Sequence, residues 1–413
     1  MKNPSGSGGW SRRKLARTLA PVCMLLSFAI AGCKTESDSN APPPSSPPPV
    51  ELLPADTTVH KPADLGGFRK VLQAIPPNGS TGMSSDGGLA RFQLNWQLTP
   101  ANWNGILQAI DTEARYVELD LSACTKAAAP TSGEPTGVGL RSNGIFAPNA
   151  VPDAASAAAA DSTAGKDRIV KLILPAAATA IQGGATAGAA NGRPFLNFIS
   201  LQEISGANIE TIGINALRSC TKLTKANFPK AKALGAGAFY GCTVLASLTL
   251  DTAGITDVPD NAFYNCTNIP LTSLSLPKAT VIGASAFRGW AALKTLDLPL
   301  ATEIGNTAFR GCTALVELKI PKIEEIGNQV FYGCVNTAAL AITMGNTAPA
   351  VGTNIFTSIT SARAVTVKTP SGAAGYDDDW KKGLRGLGWD GTQAGSGTNL
   401  TENQSITLTV TTN

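Results

Sequence analysis

The chain has 413 residues, of which 43% are hydrophobic and only 15% charged. Its formal net charge of +4 comes from Lys2, Arg12, Arg13, Lys14 and Arg17; without these five, 28 basic residues face 29 acidic ones. A near-neutral remainder with no basic run excludes a surface that condenses on nucleic acid or an anionic membrane.

The first 17 residues are polar and basic, and TLAPVCMLLSFAIAG (18–32) is a short apolar run ending in small residues. That run is too short for a confident membrane span and has the shape of a signal-peptide core. It closes on Ile30-Ala31-Gly32-Cys33, which resembles the bacterial lipobox. The resemblance implies a signal peptide over 1–32 and lipid attachment at Cys33, anchoring the chain to a membrane. Residues 33–61 are dominated by Ser and Pro, a composition that cannot bury a core and reads as a semi-extended tether.

Residues 62–124 read as an N-terminal cap. Leu65, Phe68, Leu72 and Ile75 have helical spacing, and Leu89–Leu98 alternates as a strand does. Thr99-Pro100 opens a second helix through Trp103, Ile106, Leu107 and Ile110. Tyr116–Leu121 carries a trace of the pattern described next. Residues 125–168, rich in Ala, Ser, Gly and Pro, are expected to form a long excursion without periodicity.

Internal repetition dominates residues 169–360. One copy runs from Leu293 to Cys312 and the next, LVELKIPKIEEIGNQVFYGC, from Leu315 to Cys334. Earlier copies end at Cys220, Cys242, Cys266 and Trp290, so the period is 22, stretched to 24 twice. The insertions sit near Asp251–Asp257 and at Pro270-Leu271. Within a unit, L-x-L places leucines on one side of a short strand. Proline ends the strand, because it cannot donate to a ladder. Ile-Gly is expected to turn the chain through a positive-φ glycine, and Ala-Phe returns a large hydrophobe beneath the next coil. One coil cannot bury its own apolar face, whereas stacked coils share a core. At about 4.8 Å per strand, six or seven coils would span roughly 30–35 Å.

The pattern L-x-x-L-x-L-P-x-A-x-x-I-G-x-x-A-F-x-G-C resembles the leucine-rich repeats of BspA-like surface proteins, also described for treponemes. The resemblance implies an α/β-type repeat solenoid: a right-handed leucine-rich repeat superhelix with a parallel β-strand ladder between non-repeat caps. It also makes residues 361–413 a C-terminal cap and tail, with a strand at Ala364–Lys368 followed by Pro370, Tyr376 and Trp380. Ser405–Thr412 reads as a last strand. The function implied is adhesion or other protein binding at the cell surface, with the protein lipid-anchored, at the outer membrane. A scaffold facing the periplasm, without external ligand, is the alternative.

The residues argue against catalysis. His60 is the one histidine, so the repeat domain can hold no histidine-based triad. The cysteines recur once per repeat rather than in C-x-x-C pairs, which reads as a buried reduced column and not a zinc site. Asp377-Asp378-Asp379 lacks the twelve-residue loop of a calcium site and reads as a solvated acidic turn. No cofactor is expected. A column of Arg218, Tyr240, Tyr264, Arg288, Arg310 and Tyr332 follows the buried phenylalanine position. Arg and Tyr are enriched at interfaces, so this stripe is the candidate recognition surface for a protein or other macromolecular ligand. Stacking of Arg on Tyr between coils would produce the same pattern without a ligand.

Overall fold

The computed structural model describes residues 58–75, 89–128, 139–148, 165–184, 194–334, 340–355, 364–377 and 407–412. The chain divides into two units, Met1–Glu51 and Leu52–Asn413, and every described residue lies in the second. The expected signal segment, Cys33, most of the tether, Trp380 and Asp378-Asp379 lie outside the described residues.

The second unit is a coil of short parallel strands stacked in chain order. One ladder comprises Val59–His60, Ala90–Gln93, Val117–Asp120, Ile169–Ile173, Glu203–Ser205, Lys225–Asn227 and Ser247–Thr249. Another comprises Ser273–Ser275, Thr295–Asp297, Glu317–Ile320, Leu340–Met344, Ala364–Thr369 and Thr407–Thr412. The ladder is therefore longer than six or seven coils. The stretch expected to be a non-repeat cap already supplies its first strands. Those coils lack the full repeat motif, yet their inward residues Phe92 and Leu119 fall in the same buried column as Leu172.

Two helices close these first coils. The helix α1 (Leu65–Ala74) is capped by Asp64, whose carboxylate accepts the Gly67 amide at 2.7 Å. The helix α2 (Pro100–Glu113) starts at Thr99, whose hydroxyl accepts the Asn102 amide at 3.2 Å, with Pro at its first turn. Phe68, Leu72, Trp103, Ile106 and Ile110 are buried, as their spacing predicts. From Glu203 onward the described coils are closed by turns in place of helices. The solenoid is thus mainly β, with helices only in its first coils among the described residues.

Each repeat coil has three sides. The strand places Leu274, Leu296 and Leu318 inward and Ser273, Thr295 and Glu317 outward. A two-residue strand such as Val281–Ile282 or Glu303–Ile304 builds a second parallel ladder. A turn then brings in phenylalanine, and Phe239, Phe263, Phe287, Phe309 and Phe331 stack with centroids 5.3, 5.5, 5.5 and 6.0 Å apart. This buried column runs the length of the repeats.

Three expectations are corrected. First, the glycine of Ile-Gly does not supply a positive φ. That conformation falls two residues later, at Asn215, Gly237, Asn261, Ser285, Thr307, Gln329 and Asn354. The glycine is required by close approach: a Cβ on Gly305 would stand 2.6 Å from the Ala284 amide nitrogen, and one on Gly283 2.5 Å from that of Asp260. Second, a further insertion follows Cys334. Glu317 pairs with Ala341 and Lys319 with Thr343, a step of 24 residues that the two insertions read from the sequence did not include. Third, part of the supposed excursion is built into the second ladder. Gly139–Leu140 pairs with Ile145–Ala147, which pairs in parallel with Ala180–Ile181, and Leu140 and Phe146 are buried.

Candidate interaction surface

Each stripe residue follows the buried Phe (or Leu217) and precedes a residue in the left-handed conformation: Ser219, Gly241, Asn265, Gly289, Gly311 or Gly333. That turn lifts the side chain out of the core, and all six stripe residues are half-buried. The structure brings four of them into one stack. The Arg218 guanidinium lies 3.9 Å from the Tyr240 ring centroid, and Tyr240 stacks on Tyr264 at 4.5 Å with planes 7° apart. Arg288 covers the far side of Tyr264 at 5.1 Å. One coil on, Arg310 lies 4.1 Å over Tyr332 and donates from Nη1 to Gln329 Oε1 at 3.1 Å.

The stripe is therefore two stacks, Arg-Tyr-Tyr-Arg and Arg-Tyr, joined where Arg288 and Arg310 follow one another. Each cation lies over a negative ring face, worth about 0.5–1 kcal/mol at an exposed site. Because neighbours hold the aromatic faces, the surface presents ring edges, phenol hydroxyls and guanidinium N–H groups. Such a surface is rigid and rich in donors, and suits acidic or carbonyl-bearing partners.

The outward strand face differs. Lys225, Ser247, Thr249, Ser273, Ser275 and Lys319 are exposed, small or weakly charged, without an aromatic anchor. The same column begins with the ion pair Lys171–Glu203 at 3.2 Å, and Lys232–Glu210 at 3.1 Å lies beside the second ladder; such solvent-facing pairs contribute little.

The repeat cysteines form a buried column of free thiols. Cys242 Sγ donates to the Leu217 carbonyl at 3.1 Å, Cys266 to Phe239 at 3.1 Å, Cys312 to Phe287 at 3.4 Å and Cys334 to Phe309 at 3.3 Å. Contact with the Cys266 side chain, then burial, holds the Cys242 thiol well above its ordinary range; burial does the same for Cys312. These thiols are packing groups with one weak donor each, not nucleophiles. Among the described residues no group of three His, Cys, Asp or Glu side chains is placed to hold a metal ion. No helix among them is long and apolar enough to cross a membrane.

The ladder is open between Ser247–Thr249 and Ser273–Ser275. The repeat consensus carries no sign of this. The insertions at Asp251–Asp257 and Pro270-Leu271, with Trp290 in a cysteine slot between regular copies, are the signal that marks it.

A family model described as the BspA type leucine rich repeat region matches residues 192–303 and 280–373, with six copies. No curated protein matches the chain. Solved structures that the chain matches include a leucine-rich repeat protein of T. pallidum, 23% identical, covering 46% of this chain and 84% of that one with a TM-score of 0.34. A leucine-rich cell surface protein from Faecalibacterium prausnitzii is 14% identical, covering 63% and 92%, TM-score 0.24. The pneumococcal vaccine antigen PcpA is 12% identical, covering 72% and 84%, TM-score 0.24.

Proposed function

The repeat array of this chain belongs to the BspA type of leucine-rich repeat, and from that premise we propose that it is a binding module of a bacterial envelope. The solenoid is tethered by a lipid on Cys33 and engages a protein or other macromolecular partner, as an adhesin does. It catalyses no reaction. The observation that carries the binding reading is the Arg218-Tyr240-Tyr264-Arg288 stack, a continuous line of interface-type side chains across four coils. The anchored reading rests on Ile30-Ala31-Gly32-Cys33 at the end of the apolar run and on the Ser/Pro-rich tether after it.

The first experiment is protease shaving of intact cells, with lysed cells as the control for intrinsic resistance. Loss of the protein while a periplasmic marker survives supports the surface reading. Survival on intact cells but not in lysate supports the scaffold facing the periplasm. The stripe is tested by changing Tyr240, Tyr264 and Arg288 together to Ser. Retained fold with lost capture of the surface partner is expected; unaltered capture sinks the stripe. Metabolic labelling with a fatty acid that persists in Cys33→Ser would refute the anchor.

A further inference from the structure

We propose that the open coil between Ser247–Thr249 and Ser273–Ser275 is a docking slot for an extended peptide segment of a partner protein, added as a parallel strand. The slot is distinct from the Arg/Tyr stripe and does not rest on where the protein resides.

In a parallel ladder alternate residues turn both backbone groups to the same neighbour. The Ser247 amide donates to the Thr224 carbonyl at 3.0 Å and the Phe228 amide to the Thr249 carbonyl at 2.9 Å, so Ser247 and Thr249 face the preceding coil. Leu248 therefore faces the next. There, the bonds that continue the ladder elsewhere are missing: Ser273 N–H to Ala246 C=O, Leu248 N–H to Ser273 C=O, and Ser275 N–H to Leu248 C=O. Most Cα pairs between the two strands are more than 8 Å apart. A paired neighbour would stand about 4.8 Å away, so the two strands have parted, with unpaired donors and acceptors on both sides.

The back of the solenoid stays shut at the same level. Phe239 N–H donates to Ala262 C=O at 2.8 Å and Gly241 N–H to Tyr264 C=O at 2.8 Å, beside the Phe239–Phe263–Phe287 stack. The coils thus splay on one side only. The second ladder lacks a bond at this level, because Pro259 has no N–H where Gly235 and Gly283 donate to the preceding coil, but its strands stay side by side. Trp290 wedges the base, edge-on to Phe263 at 5.5 Å and to Phe287 at 5.0 Å.

Beneath the opening lies a cavity of about 400 Å³ without a charged lining residue. Leu248, Leu250, Ile269, Leu274 and Trp290 line it, and Leu271, 39% exposed, stands at its mouth. The side chain that enters is accordingly apolar, while its neighbours in the strand lie among Ser247, Thr249, Ser273 and Ser275. The occupant is an extended, uncharged or weakly polar segment with an apolar residue at alternate positions, held by main-chain bonds and selected by the cavity.

The probe is an acetylated, amidated hexapeptide, Leu-Thr-Ser-Leu-Ser-Leu, copying residues 271–276, with a fluorophore for anisotropy. Saturable binding is expected. It should slow hydrogen exchange at the Leu248, Ser273 and Ser275 amides. Methylation of alternate peptide nitrogens, and Ser273→Pro in the protein, should each weaken binding at least tenfold. Proline suits the first residue of an unpaired edge; if that variant fails to fold, the methylated peptides still decide on the unaltered protein. No saturable binding, protection only at the end strands of the ladders, or equal binding of the methylated peptides would overturn the slot; the last would mean an apolar pocket alone.

Discussion

The indole N–H of Trp290 donates to the Phe263 carbonyl at 3.2 Å, as Cys266 Sγ does to the Phe239 carbonyl at 3.1 Å one coil earlier. Tryptophan thus replaces cysteine as a donor as well as a filler, and its larger ring belongs to the place where the coils part. Trp290→Phe keeps most of the ring but removes one of the two hydrogen bonds at the Phe263 carbonyl, which still accepts from the Cys266 amide at 3.3 Å, a loss of about 0.5–1.5 kcal/mol. Trp290→Cys keeps a donor but empties the wedge, at a cost approaching the ~3–5 kcal/mol of a large-to-small core change. Urea unfolding should rank wild type above Trp290→Phe above Trp290→Cys. Equal midpoints for all three would mean that neither the bond nor the ring matters.

Two glycines of one coil serve different ends, and alanine separates them. Gly305 has ordinary φ but is overlain by the Ala284 backbone, which cannot yield without shifting a coil. Gly311 has φ +76, and its nearest atoms would stand 3.8 Å from a Cβ. Gly311→Ala should cost about 1–2 kcal/mol, the price of a left-handed residue. Gly305→Ala should cost more, because the coil spacing itself must open. Thermal unfolding of the two variants checks the order, and a less stable Gly311→Ala would refute it.

The repeat period, the strand leucines, the phenylalanine column and the Arg/Tyr stripe were legible in the sequence, because stacking forces equivalent residues to recur every 22 positions. The first coils were not. Val59–His60 and Ala90–Gln93 join the same ladder, but helices α1 and α2 close their coils, so no common period links them to the repeats. The role of the Ile-Gly glycine was misread because a sequence does not distinguish a residue that needs a special φ from one that has no room for a Cβ. The left-handed position itself was hidden, since Asn, Ser, Thr and Gln occupy it at Asn261, Ser285, Thr307 and Gln329. The open slot was marked by its insertions but not readable from them, for a related reason. Two-residue insertions look like loop variation until both edges of a ladder are seen unpaired.

The buried thiols make the fold sensitive to alkali. Burial raises the Cys124 thiol from about 9 to about 11, so the native state holds its proton where the unfolded chain has lost it. That contribution is fully present below about pH 9 and is lost as pH rises through about 11. The urea midpoint should be level from pH 7 to 8.5 and fall from pH 9.5 to 11. At pH 8, iodoacetamide should leave Cys124, Cys242, Cys266 and Cys312 unmodified in the native protein and alkylate them in urea. Rapid native labelling at pH 8 would refute the packed column.

Glu303 and Glu325 lie side by side in the second ladder, and both are exposed. Elsewhere on the solenoid a cation answers such a carboxylate, as Lys232 Nζ does Glu210 at 3.1 Å. Like charges directly opposite one another in a sheet oppose its pairing. Glu325→Gln should therefore stabilise the array by roughly 0.2–0.5 kcal/mol at low ionic strength. Because the pair faces solvent, the gain should shrink in 1 M salt, where screening falls to about 3 Å. Parallel urea titrations of both proteins at low and high salt test this. A gain independent of salt would mean that charge repulsion is not its cause.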